Sequence, residues 1–273
     1  MIELSIVVVS YNSETLLDRC IGALKQTLKE FSPRLCYEII VVDNHSRDKT
    51  RQVIERFGVR AIFNQENRGF PRANNQAIRL ARGRYLLFLN PDVICGRVNF
   101  QELLEMFKRD DRLGALTVSV RLENGELDPA CHRGFPTLTN ALCYFLKLEK
   151  LGGSCGGYHL VGKDLNTAHE IDSGSGAFFL TRKALMDELK GFDEDFFMYG
   201  EDLDLSFRIK EKGLKIIYYP RFQVTHLKHQ SGFRPAPFFD AMGIFYRKHY
   251  ERYRPWLVNR LVQAIIELRK LTS

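Results

Sequence analysis

No stretch of eighteen apolar residues occurs in this 273-residue sequence, so no helix is expected to cross a bilayer. The N-terminus lacks a basic region, an apolar core and a small-residue cleavage site, so no signal peptide is expected and a cytoplasmic location is. The six cysteines, at positions 20, 36, 95, 131, 143 and 155, form no Cys-x-x-Cys pair. Several sit in apolar runs, which fits buried free thiols in a reducing compartment and argues against a zinc site. The first strand-like run is followed by Ser10-Tyr11-Asn12-Ser13-Glu14-Thr15. That is neither the Gly-x-Gly-x-x-Gly turn of a dinucleotide fold nor the Gly-rich, Arg/Lys-bearing loop of a sugar nucleotidyltransferase. The P-loop pattern is absent as well, and no internal repeat is visible.

What is present is an ordinary globular composition, 45% hydrophobic and 27% charged, with a net charge of +7. Such a charge calls for an acidic partner: a phosphate-bearing ligand, an anionic membrane or nucleic acid. The aromatics lie mostly in core runs and do not interleave with Lys and Arg, so no nucleic acid is expected. The first half alternates strand and helix. Apolar runs at Leu4–Asn12, Tyr37–Asn44, Val59–Asn64 and Tyr85–Val93 read as buried strands. Between them, Leu16, Leu17, Cys20, Ile21 and Leu24 share a helical face after a Ser13 cap. Val53, Ile54 and Phe57 form a second such face, opened by Ser46 or Asp48, and Ala73, Ala77, Ile78 and Ala81 a third. This alternation predicts an α/β fold, a mostly parallel central sheet with helices on both faces. Later runs predict a strand over Leu113–Leu122, a strand and helix through "GAFFLTRKALMDEL", a helix over Glu201–Lys212, and a strand "LKIIYYP" that stops at Pro220. Residues 123 to 170 read as a long irregular stretch, expected on the acceptor side and partly mobile.

Ligands bind beyond the carboxyl ends of the strands in open parallel sheets. Here those ends are polar: Ser10-Tyr11-Asn12, Asp43-Asn44, the "NQENRGFPRANN" segment, and Asn90-Pro91-Asp92. Any one of them is accounted for by turn chemistry, but four on one rim make a site. Asp43 suits an N–H or a ribose hydroxyl. Gly69 permits close backbone approach, and Arg68 and Arg72 offer charge to phosphates. Asp92, carried out of the core on a stiff Asn-Pro turn, suits a hard divalent cation, with Asn90 as a neutral helper and His226 as a second ligand. A lone histidine is more often structural. Glu201, Asp202 and Asp204 stand at a helix start, where the macrodipole alone would favour them; the functional alternative is a general base.

Six blocks resemble glycosyltransferase family 2 in order and spacing: "SIVVVSYN", "IIVVDNHSRD", "ENRGFPRANNQAI", "YLLFLNPDV", "DSGSGAFFLTRKAL" and "FDEDFFMYGEDLDLSFRIKEKG". The version with Asn-Pro-Asp and Glu-Asp-x-Asp-Leu is most similar to its rhamnosyltransferase-type branch. The resemblance implies the GT-A fold over residues 1–235, with 1–112 the nucleotide-sugar half and 113–235 the acceptor and catalytic-base half. Residues 236–273 would be a basic amphipathic helical tail. It implies an inverting transfer that needs Mg²⁺ or Mn²⁺, from a nucleoside-diphosphate sugar (dTDP-rhamnose favoured) to a glycan or lipid-linked hydroxyl in polysaccharide synthesis. A sugar nucleotidyltransferase and a non-catalytic sugar-nucleotide-binding protein are the alternatives. By position, Asp202 would be the catalytic base and Asp92 and His226 the metal ligands. Ser10, Tyr11, Asn12, Asp43, Asn44, Asn67, Gly69, Arg72 and Asn90 would bind the donor, and Gly174, Ser175, Gly176 and Glu201 would line the acceptor side. Asn90 replaces the first acid of the commoner Asp-x-Asp motif.

In the tail, Arg260, Gln263, Glu267 and Lys270 fall on one helical stripe, and Leu257, Val258, Leu261, Val262, Ile265, Ile266 and Leu268 cover most of the rest. So wide an apolar face is expected to pack on the catalytic domain, make a homodimer, or lie peripherally on the anionic inner face of a membrane.

Overall fold

The computed structural model describes residues 1–137, 139–140, 157–227 and 235–272. The "ALCYFLKL" run and all of "GGSCGG" but its last glycine, with Cys143 and Cys155, lie outside the described residues.

Strand β1 (Leu4–Ser10) is buried along its whole length, as an all-apolar central strand should be. It pairs in parallel with β2 (Tyr37–Asp43), in the register Leu4↔Tyr37 to Ser10↔Asp43. On its other side it pairs in parallel with β4 (Tyr85–Leu89), and β2 pairs in parallel with β3 (Arg60–Phe63). Helices α1 (Glu14–Phe31), α2 (Thr50–Phe57) and α3 (Phe70–Leu80) make the crossovers, each turning its predicted apolar face inward. This half is as the periodicity predicts. One local expectation changes, and one choice is settled in favour of Asp48. The Ser13 hydroxyl does not cap α1 but meets Ser10 Oγ at 2.6 Å. Asp48, through Oδ1, accepts from Thr50 N–H at the start of α2.

The second half changes direction. After β5 (Val93–Cys95), α4 (Phe100–Arg109) and β6 (Leu113–Leu122) come β7 (His169–Ile171), β8 (Phe178–Arg182), α5 (Lys183–Glu188), α6 (Glu201–Glu211) and β9 (Lys215–His226). The strand order is β3-β2-β1-β4-β8-β6-β9-β5, with β7 also on β9. Strand β8 is antiparallel to both β4 and β6, so a parallel half continues into a mixed one. Pro220 does not end β9. The β6–β9 register jumps from Val118↔Tyr219 to Ser119↔Gln223, so Pro220 sits in an irregularity where no ladder N–H is needed. The strand then runs six residues further than expected, to His226.

Helix α7 (Pro235–His249) packs Ala241 and Phe245 against Phe196 and Leu203 of the main body. Helix α8 (Trp256–Thr272) lies on α7, where Tyr246 OH donates to Asn259 Oδ1 at 2.7 Å and Lys270 pairs with Asp240. Of the described cysteines, Cys20, Cys95 and Cys131 are buried free thiols, whereas Cys36 is exposed.

Candidate active site

Asp92 and His226 are brought together by strand pairing. Val93 faces His226 in the antiparallel β5–β9 ladder, and Leu227 N–H donates to the Asp92 carbonyl at 2.8 Å. Both side chains are buried, and His226 Nε2 stands 3.2 Å from Asp92 Oδ1. That oxygen has no well-aligned hydrogen-bond partner. On the far side of the ring, His226 Nδ1 is 2.7 Å from Oδ2 of Asp128, a fully buried carboxylate. Burial opposes protonation of His226, but its hydrogen bonds to Asp128 and Asp92 outweigh that and raise its pKa to about 9.

These residues fit a hard divalent cation. Asp92 Oδ1 and His226 Nε2, 3.2 Å apart, stand close enough to be shared by one cation. A carboxylate behind the ring is the usual partner of a metal-bound histidine. No group of three or more His, Cys, Asp or Glu set for a metal occurs among the described residues.

The acids of α6 separate into three environments. Gly200, at φ +75, turns the chain into the helix. Asp204 is buried and tied to Arg208 and to His249 of α7, each at 2.8 Å; it locks two helices together and has no free face. Glu201 is buried with Oε2 unpartnered. Burial first, and then the charge of Asp202, raise its carboxyl to about 8. Asp202 is surrounded by donors. Its Oδ2 accepts from Arg133 at 2.8 Å and from Gly176 N–H at 3.3 Å, and its Oδ1 from Leu203 N–H at 2.7 Å.

The segment 172–177 joins these parts. Gly176 N–H reaches Asp202, and the next carbonyl, of Ala177, accepts from Asn90 N–H at 3.2 Å. Gly174 accepts from Arg133 at 2.7 Å through its carbonyl, and Ser175 closes the turn through its hydroxyl to Ala177 N–H. The expected acceptor-side residues Gly174, Ser175, Gly176 and Glu201 thus stand beside Asp202, one residue from the turn that carries Asp92.

On the donor side, Ser10 and Asp43 end paired strands in register. Asn44 is buried and its amide is fully engaged, donating to Asn67 and Gly69 and accepting from Asn64 and Arg68. It clamps the 64–69 segment to the end of β2, and Asn67 in turn caps Gly69 N–H. Asn12, at φ +48, accepts from Arg47 N–H. Asp43 Oδ1 accepts from Ser46 N–H at 3.2 Å, and Tyr11 is exposed. Gly69 is required by its surroundings: at φ +80, a Cβ there would meet the Phe197 carbonyl at 2.6 Å. Arg68 and Arg72 line a cleft of about 340 Å³ together with Glu66, Asn67, Glu194 and Phe197, and among the described residues their ion pairs, to Glu66 and Glu194, are long at 3.7 Å.

Sequence reasoning missed Asp128 and Arg133. Both lie in the stretch read as irregular and partly mobile, yet Asp128 and most of Arg133 are buried. "Asp-Pro" at 128–129 reads only as turn chemistry, and nothing local marks Arg133.

The sequence matches the model of glycosyl transferase family 2 over residues 5–168. The chain belongs to that family. A second model, glycosyl transferase family group 2, matches residues 164–271 of the same transferase. Rhamnosyltransferase WbbL of Escherichia coli (strain K12) is 28% identical over 80% of the chain and 81% of its own length. N-acetylglucosaminyl-diphospho-decaprenol L-rhamnosyltransferase of Mycobacterium tuberculosis (strain ATCC 25618 / H37Rv) is 28% identical over 85% and 79%. The fold is shared with Staphylococcus aureus TarS 1-349 in complex with UDP-GlcNAc, at 18% identity, TM-score 0.64, 99% of this chain and 73% of that one. It is also shared with GalNAc-T7 with UDP, GalNAc and Mn²⁺, at 15% identity, TM-score 0.66, over 93% of this chain; this glycosyltransferase spans 49% of that one.

Proposed function

We propose that this glycosyltransferase moves a sugar, with rhamnose favoured, from a nucleoside diphosphate to a hydroxyl of a lipid-linked glycan with inversion at the anomeric carbon. The observation that carries this reading is the bridge through Gly176 and Ala177, which sets Asp202 beside the turn bearing Asp92. Glu201 keeps its proton at neutral pH because burial and Asp202 raise its pKa to about 8, so it cannot take another, and Asp204 is consumed by Arg208 and His249. Asp202 is then the carboxylate left to accept the proton of the attacking hydroxyl, for which Arg133 must yield Oδ2. The hydroxyl oxygen bonds to the anomeric carbon as the bond to the diphosphate oxygen breaks, through an oxocarbenium-like state. Arg68 and Arg72 offer charge to the departing diphosphate. Asp92 and His226 would hold Mg²⁺ or Mn²⁺, which when bound neutralises diphosphate charge. Asp43 and Tyr11 would face the nucleoside. The rhamnose and lipid-linked preferences rest on the names of the two curated relatives.

The tail favours a membrane-borne acceptor. No helix among the described residues is long and apolar enough to cross a membrane. Yet with Ile266 buried and Val258 and Val262 half-buried, the adjoining stripe of α8 leaves Leu257, Leu261 and Leu268 at 70%, 62% and 62% exposure. Residues 236–273 hold seven Lys and Arg against three Asp and Glu, a composition suited to an anionic lipid surface. The helix is thus docked on one side and would lie on the cytoplasmic leaflet with the other.

Incubation of the purified chain with dTDP-rhamnose, UDP-GlcNAc or GDP-mannose, a polyprenyl-diphosphate-linked sugar and Mn²⁺ tests the reading. Transfer that is lost with EDTA is expected. Release of nucleoside diphosphate from none of these donors would overturn it.

A further inference from the structure

The buried carboxylate of Asp128 has a position that turn chemistry alone does not require. The Glu123-Asn124-Gly125-Glu126 turn reverses the chain at the end of β6, closed by Gly125 N–H to the Leu122 carbonyl at 2.9 Å and Leu122 N–H to the Glu126 carbonyl at 2.8 Å. Leu127 bridges back to Arg121, and Asp128 N–H donates to the Val120 carbonyl at 2.8 Å. Leu122 is the β-ladder neighbour of His226. The reversal therefore lays Asp128 beside the His226 ring on the side away from Asp92. Oδ1 of Asp128 caps the short turn at Ala130 N–H, at 3.1 Å. Oδ2 is not needed for that cap and lies 2.7 Å from His226 Nδ1. A solvent-free carboxylate is costly without a partner, and the ring is one partner supplied.

We propose that Asp128 is a positioning residue for the cation site: it holds Nδ1–H of His226 and so presents Nε2, the other ring nitrogen, to the cation beside Asp92. This rests on the reading of Asp92 and His226 as cation ligands. The two nitrogens of an imidazole are distinct, and the hydrogen bond made by one decides what the other can ligate. A carboxylate partner also fixes the ring plane and raises its basicity, and loss of such partners lowers metal affinity by about 10- to 100-fold. That contribution matters most where few protein groups hold the cation.

The test is equilibrium binding of Mn²⁺ alone to the full chain, read as free Mn²⁺ by electron paramagnetic resonance. The variants are Asp128→Ala, Asp128→Asn and, as reference, Asp92→Ala, with unfolding temperature measured for each. Asp92→Ala is expected to abolish binding and Asp128→Ala to weaken it about 10- to 100-fold. Asp128→Asn keeps the shape but has one oxygen for two N–H donors: with that oxygen on Ala130 N–H, its amide N–H₂ faces Nδ1 and favours the tautomer with the proton on Nε2, so its loss should be at least as large. With Co²⁺ in the site, the visible ligand-field bands should shift in Asp128→Asn, which a residue serving only the fold would not cause. If Asp128→Ala is folded and binds Mn²⁺ like the parent while Asp92→Ala does not bind, the role of Asp128 is overturned and the cation site stands. If Asp128→Ala does not fold, unchanged Mn²⁺ affinity and unchanged Co²⁺ bands in Asp128→Asn overturn it equally. If the parent takes up no Mn²⁺ either alone or with nucleoside diphosphate, or Asp92→Ala binds as the parent does, the cation site itself is wrong and Asp128 loses its role with it.

Discussion

Replacing Glu201 by Gln should make the protein more stable than its parent, by an amount that grows with pH. The side chain is buried and its Oε2 has no partner. Burial, then the neighbouring charge of Asp202, raises its pKa from 4.5 to about 8. Between those two values the unfolded chain has released the proton that the folded chain retains. Folding then binds a proton, and stability falls as pH rises, by about 1.4 kcal/mol per pH unit. Below about pH 4.5 the group has no effect, and above about 8 the full penalty, about 5 kcal/mol, is reached. Gln has nearly the shape of the protonated acid and no charge to bury. From pH 5.5 to 7.5, the difference in unfolding free energy between Glu201→Gln and the parent should therefore widen by roughly 2 to 3 kcal/mol in favour of the variant. Urea denaturation followed by circular dichroism at four pH values measures it. Parallel curves for the two proteins would refute both the elevated pKa and the argument that a protonated Glu201 leaves Asp202 as the base.

Asp202→Asn should fold and bind donor while transfer falls by about 10²- to 10⁴-fold; near-normal turnover would remove Asp202 from the mechanism. Asp92→Ala should weaken a metal-dependent nucleoside diphosphate more than the bare nucleoside, whereas Asp43→Ala should weaken both. Calorimetry with each ligand decides this, and identical behaviour of the two variants would contradict the division of the site. Arg133→Ala should cost about 3 kcal/mol or more by leaving the largely buried Asp202 carboxylate without its counter-charge, read as a lower unfolding temperature. Full-length protein should sediment with anionic vesicles at low salt, less so at high salt, and the triple change Leu257→Ser, Leu261→Ser, Leu268→Ser should abolish it. Since α7 packs on Phe196 and Leu203, substitution of the exposed stripe isolates the effect better than truncation. A parent that ignores vesicles, and is a dimer only while those leucines are present, would make the stripe a subunit interface instead.

The parallel half of the sheet was legible because its signals are local. Each strand is an unbroken apolar run and each crossover helix carries a 3.6-residue stripe, so β1, β2, β4 and their helices need no knowledge of the rest of the chain. The polar strand ends, Asp92 on its proline turn and the acids of Glu201–Asp204 were found the same way, as residue types out of place against a regular background. Helix α4 was overlooked, and β9 was cut short at Pro220 because a proline at a register irregularity looks the same in sequence as one that ends a strand. Partnership across the chain was not legible at all. That Asp204 is spoken for by His249, that Glu201 stays protonated, that Arg133 closes on Asp202 and that Asp128 stands behind His226 depend on groups 45, 1, 69 and 98 residues apart in sequence. Even between adjacent residues, burial sets the pKa, and burial is a property of packing. Sequence determined which chemistry the chain carries and on which edge of the sheet it gathers. Only the tertiary structure decided which of those groups are consumed in holding the fold and which are left to act, because desolvation and pairing are fixed by distance in space and not along the chain.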